Sequence, residues 1–150
     1  RYIGQVWTLI YFTTGVRKMS DVGTGTTIVF GTSAWAGEVT GISATGVTRE
    51  DYDTTTLATT GARTKSPKKL VDAGGLDITH KFDPDSQPPI SGVTETITIT
   101  FPTPPGGSTG ATLIGSGFVT SSTWSAELEE EMSAETSIMW AALPVWTAST

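Results

Sequence analysis

The sequence predicts an all-β domain, an antiparallel β-sandwich or small open barrel of six or seven strands with at most one short helix. Three observations carry that expectation. The 150 residues include 29 Thr and 14 Ser, while charged residues make up only 16%, a β-branched, Lys- and Glu-poor mixture that favours strands over helices. Three segments alternate apolar and polar residues with a period of two, the signature of a half-buried strand. The 17 Gly and 8 Pro cut the chain into short runs, as hairpin turns do. A chain of this length builds one core rather than two domains.

Taken in order, Val6 to Phe12 is apolar but only seven residues long, far short of the ~20 that cross a bilayer. Arg17-Lys18 follows that run rather than preceding it, which does not fit a secretory signal. Met19-Ser20 opens onto an orderly strand pattern, so residues 1–18 read as a translated upstream leader or flexible arm and residues 19–150 as the single domain. Thr26 to Gly31 is a β-branched run bounded by glycine, and Glu38 to Val47 reads as a second strand. Asp51 to Gly75 loses apolar periodicity and holds Arg63, Lys65, Lys68 and Lys69; it reads as a long loop, and such loops in compact domains carry function or are disordered.

Order returns where Leu76, Ile78, His80 and Phe82 share one face and Asp77, Thr79 and Lys81 the other. Asp83-Pro84-Asp85 and Pro88-Pro89 break that strand. In Thr94 to Phe101, Ile97, Ile99 and Phe101 alternate with Thr96, Thr98 and Thr100, giving one core face and one Thr face. Pro102 to Gly110 is a turn, and Ala111 to Thr120 returns as the partner strand of a hairpin, with Gly115-Ser116-Gly117 as an expected bulge. Glu127 to Glu131 is either a short helical turn or a charged corner. Met132, Ala134, Thr136, Ile138 and Trp140 alternate once more, and Pro144 is expected to end the regular structure.

Composition also narrows the chemistry. Nine Lys and Arg stand against 15 Asp and Glu, a net charge of −6; over residues 19–150 the count is six against 15, which disfavours a surface that grips nucleic-acid phosphates. With no Cys and a single His, there is no disulfide, thiol nucleophile or multi-histidine metal centre. Gly23 to Ile28 lacks the third glycine of a dinucleotide turn, and Gly61 to Ser66 lacks the glycine that a phosphate loop needs before Lys65. No Gly-x-Ser-x-Gly supports a serine hydrolase, so His80, in phase with Leu76, Ile78 and Phe82, reads as a packed or interface histidine.

The pairs Asp51/Asp53 and Asp83/Asp85 do not continue into a calcium-loop spacing and read as turn aspartates. No particular pair of carboxylates is placed across a cleft for glycoside hydrolysis. Trp35, Trp124 and Trp140 offer faces for sugar stacking or for packing, Trp140 being in phase with the core. Glu127, Glu129, Glu130 and Glu131 form either a solvated corner or a negatively charged surface with a purpose. No cofactor is expected.

Thr-Thr-Ile-Val-Phe-Gly, Arg49-Glu50-Asp51 leading to Gly61-Ala62-Arg63, Leu70-Val71-Asp72-Ala73-Gly74 and then Leu76 to Asp85 follow one another in an order that resembles phage tail tube proteins. The likeness is to the major tail protein of long-tailed phages with non-contractile tails and spans roughly Met19 to Trp140. It implies a non-enzymatic subunit forming hexameric rings that stack into a tube. The lumen would hold a tape-measure protein and pass genomic DNA in transit; tail-tip or terminator proteins would be further partners, with no membrane insertion. The place would be the virion tail, assembled in the host cytoplasm. The long loop, with Asp53, Arg63, Lys65, Lys68 and Lys69, would be an arm to a neighbouring subunit, and acidic side chains would face the lumen. Tail tube subunits usually pack a helix between middle strands; here Asp85 to Gly92 is too short and proline-broken for one. A head-decoration protein forming trimers on a capsid is the alternative, and a carbohydrate-binding module a further one.

Overall fold

A computed structural model describes residues 23–150; the leader 1–18 and its boundary at Met19 lie outside the described residues. Those described form β1 (Thr27–Phe30), β2 (Val39–Ala44), β3 (Asp51–Asp53), β4 (Lys65–Pro67), β5 (Gly75–Lys81), β6 (Glu95–Thr100), β7 (Thr112–Ser125), β8 (Ser133–Trp140) and β9 (Val145–Thr147), with no helix among them. The main antiparallel sheet runs β1-β6-β7-β8-β5-β2, with β9 added beside β7. Strands β1 and β2 stand at opposite ends of that order, yet Ile28 and Phe30 from one and Val39 and Ile42 from the other meet the same apolar cluster. The sheet therefore curls around one core, the open-barrel form of the expected fold.

Alternation decides which faces are buried. In β6, Ile97 and Ile99 are essentially sealed from solvent while Thr96 is exposed and Thr98 and Thr100 are half-buried. Ile97 pairs with Gly115 and Ile99 with Leu113 across the hairpin. On the other flank Leu76, Ile78 and His80 of β5 lie opposite Ile138, Thr136 and Ala134 of β8. The outer face carries continuous cross-strand rows: Thr27, Thr100, Thr112 and Thr147 in one, Val29, Thr98, Ile114 and Val145 in the next.

Strand β7 runs to Ser125, five residues past its expected end, because it changes partners. Its first half pairs with β6 and its second with β8, the two meeting at Gly117. The expected bulge at Gly115-Ser116-Gly117 is absent; both glycines keep regular register, and the irregularity falls between Val119 and Ser121. The glycines make room instead. A Cβ on Gly115 would sit 2.6 Å from the Trp140 ring and 2.9 Å from Pro144. Nor does Pro144 end regular structure: β9 resumes pairing with β7 through Val145, Trp146 and Thr147.

The segment 51–75 is not a structureless loop. Asp51, Tyr52 and Asp53 pair with Pro67, Ser66 and Lys65 in a separate two-stranded hairpin, and Thr48 bridges Asp72 at its base. Glu127 to Glu131 is a turn joining β7 to β8, not a helical one, with Glu129 in the left-handed region at φ 65°.

Candidate assembly surfaces

His80 belongs to the core. It is buried beside Trp35, ring centroids 5.1 Å apart and edge-on. The Lys81 carbonyl, 2.9 Å from Nδ1, can only accept, so Nδ1 carries the proton. Nε2 is hydrogen-bonded to the Thr136 hydroxyl at 3.0 Å, and that hydroxyl to Ser122 at 3.3 Å. Both ring nitrogens are thus spent on packing, and the histidine holds β5 to β8.

Glu95 is the buried carboxylate that residue-type reasoning passed over, although its parity with Ile97 and Ile99 placed it on the core face. Its Oε2 accepts from the Thr32 and Ser33 amides, each at 2.8 Å, and from the Ser33 hydroxyl at 3.1 Å. Burial alone pushes this carboxyl up; the Ser33 and Thr32 amides and the Ser33 hydroxyl outweigh it and hold it below the ordinary value. The carboxylate anchors the turn after β1 to the sheet.

The arm formed by β3, β4 and their flanks is laced by charge. Lys65 meets Asp51 at 2.7 Å, Arg63 meets Asp53 at 3.8 Å, and Lys68 meets Glu50. The hydrogen bond and charge of Lys65 hold the Asp51 carboxyl down, and the Thr55 hydroxyl and amide do the same for Asp53. Lys69 and Arg49 make no ion pair among the described residues; Arg49 donates through Nε to the Lys68 carbonyl. At the arm's base, Gly74 at φ 69° passes so close to the Gly46 carbonyl that no side chain fits between them.

The acidic turn divides. Glu131 is tied to Lys81 at 2.9 Å, with Glu38 on the same ammonium at 3.2 Å, and the two carboxylates raise the Lys81 pKa. Glu127, Glu129 and Glu130 make no ion pair among the described residues and surround Leu128, which is 92% exposed. Asp83 accepts the Asp85 amide at 3.0 Å, as a turn aspartate does, and no group of three or more His, Cys, Asp or Glu among the described residues could hold a metal. Trp35 and Trp140 are buried. Trp124 is exposed, but Phe82 stacks on one of its faces at 5.1 Å, as Phe101 does on Trp146 at 5.6 Å.

No protein-family model matches the chain, and no curated protein matches it significantly. Solved structures do. A chain of the sheath-tube complex of an extracellular contractile injection system (PVC) superposes with TM-score 0.68 at 16% identity, covering 89% of this chain and 94% of that one. A chain from the C6-symmetric tail of an empty gene transfer agent particle gives TM-score 0.64 at 16% identity, covering 86% of this chain and 100% of that one. The SPP1 tail tube gives TM-score 0.54 at 10% identity, covering 82% and 76%. In its fold the chain is similar to these tube and tail chains.

Proposed function

We propose that this chain is the structural subunit of a phage tail tube of the non-contractile kind, without enzymatic activity, closing into hexameric rings that stack around a lumen. The observation that carries this reading is the extent of the likeness: tube and tail chains of three systems superpose on more than four fifths of this one. The edges of the barrel support it. Strands β1 and β2 each have one strand neighbour among the described residues, and ring closure would cover such edges with those of the next subunit. The excess of carboxylates suits a conduit whose walls repel DNA phosphates during passage.

On this reading the partners are other copies of the chain, a tape-measure protein and tail-tip or terminator proteins. The place is the virion tail, assembled in the host cytoplasm. The intact mass of natively produced protein tests the division at Met19. The deciding experiment is light scattering of the full chain over a concentration series, with the same fractions imaged by negative-stain electron microscopy. Six-fold rings or stacked tubes are expected. A discrete trimer that co-sediments with capsids would transfer the chain to head decoration, a monomer at every concentration would remove self-assembly, and specific binding of a sheath protein would remove the non-contractile assignment.

A further inference from the structure

Charge is distributed unevenly along this molecule. Residues 48–72, the arm and its base, hold five Lys and Arg and four Asp and Glu; the rest of the described chain holds one base, Lys81, and ten acids. The two regions also lie at opposite ends of the same strands. The arm enters β5 at Gly75 and its base lies beside Trp140 at the end of β8, whereas the acidic turn enters β8 at Ser133 and is tied to Lys81 at the end of β5. Seven residue steps along β8 separate them by about 23 Å.

At the arm end a groove opens between the arm's base and the link from β8 to β9. Its apolar walls are Leu70, Val71, Ala73 and Leu143, with Leu70 86% exposed. Two acids touch it, and both are engaged: Glu50 pairs with Lys68, and the Asp72 carboxylate accepts the Gly74 amide at 2.8 Å. Lys68 lines it too, and Arg49 and Lys69, next in sequence to the lining Glu50 and Lys68, have no carboxylate partners among the described residues. At the other end Leu128 stands out from the turn between Glu127 and Glu129-Glu130. An apolar knob with acids on either side in sequence and an apolar groove at the base-rich arm stand at opposite ends of the same strands, too far apart to meet within one molecule.

We infer that the Leu128 turn of one copy docks in the Leu70–Leu143 groove of the next, a head-to-tail contact between copies of this chain along the direction of β5 and β8. The choice of a second copy as occupant rests on the assembly reading above and on the opposite charge of the two ends. A contact of this kind uses different patches on its two sides and so propagates, closing into a ring or continuing as a filament. It gives the unpaired glutamates of the turn a role in assembly.

The absence of native cysteine makes the test clean. Full-length Leu128→Cys and Leu143→Cys variants are prepared separately, mixed and oxidised mildly. The expected result is a disulfide-linked dimer in the mixture, identified by mass spectrometry as the peptide pair joining the two positions, with only traces of dimer in either variant alone. Glu127→Lys/Glu129→Lys/Glu130→Lys in the Leu128→Cys chain abolishes it, and Arg49→Glu/Lys69→Glu in the Leu143→Cys chain restores it. All these side chains are exposed, so circular dichroism of each variant should match the parent. No enrichment of the mixed dimer, or a mixed dimer indifferent to charge reversal, overturns the inference. Rings without this cross-link would sink the contact and leave the tube reading standing; the cross-link without rings or tubes would do the reverse.

Discussion

Glu95→Ala takes away the acceptor on which the turn after β1 hangs. Three donors converge on Oε2, two amides at 2.8 Å and a hydroxyl at 3.1 Å, and a hydrogen bond to an ionised partner is worth about 1.5–3 kcal/mol. Thr32 and Ser33 lie at the surface, so water recovers part of what their amides lose, and the net cost expected is about 3 kcal/mol. Glu95→Gln keeps an oxygen in the same place but loses the charge, for about 1 kcal/mol. At about 2.1 cal/mol/K per residue for a domain of roughly 130 residues, these become Tm drops of about 11 °C and about 4 °C. Thermal unfolding by far-UV circular dichroism in dilute protein reads both.

The pH dependence has a definite sign. The folded-state pKa of Glu95 lies below its ordinary value of 4.5, so its contribution is fully present above that value and is lost as pH falls through the folded pKa. The Tm gap between wild type and Glu95→Gln therefore stays constant from pH 7 to about 5 and closes on further acidification. A gap that persists unchanged to pH 3, or an Ala variant no worse than Gln, would refute the role assigned to the carboxylate.

Gly115→Ala forces a methyl group against Trp140 and should cost about 1–3 kcal/mol, with the cost shrinking in a Trp140→Leu background; equal costs in the two backgrounds, read by urea unfolding, would break the link. Gly74→Ala meets both a left-handed backbone and the Gly46 carbonyl, so the arm should lose its register, seen as faster proteolysis within residues 48–72 at little change in core exchange rates. Thr136→Val leaves Nε2 of His80 without its buried hydrogen-bond partner and should lower stability by about 1–3 kcal/mol, more than Ser122→Ala does. Lys65→Ala removes an exposed ion pair and should leave Tm essentially unmoved while loosening the arm in hydrogen exchange.

The core strands were legible because each buries one face. β5 and β6 show their period of two in the residue types themselves, and the hairpin of β6 with β7 follows from the Pro/Gly turn between them. The arm was not legible, since neither face of β3 or β4 is buried; their pairing rests on cross-strand charge and backbone hydrogen bonds, which leave no apolar rhythm. The glycines of β7 were misread because their reason lies in a ring that arrives from β8. β9 was missed because three exposed residues after a proline carry almost no signal alone, and their strand character comes from the open edge of β7. Of the surfaces proposed for assembly, the bases and acids could be named from the sequence, but their separation to opposite ends of the strands appears only once β5 and β8 are laid side by side.

The partner change within β7 has a mechanical consequence. This one strand is bonded to β6 and β9 over its first half and to β8 over its second, and β8 passes load on to β5. A pull between the arm end and the turn end runs parallel to all of these strands, so their hydrogen bonds are sheared together instead of being opened one after another. A sideways pull on β1 or β2 would peel a single edge, one bond at a time. The domain is thus stiff along its length and weak across it, an anisotropy that a single-molecule pulling experiment would record as two well-separated rupture forces.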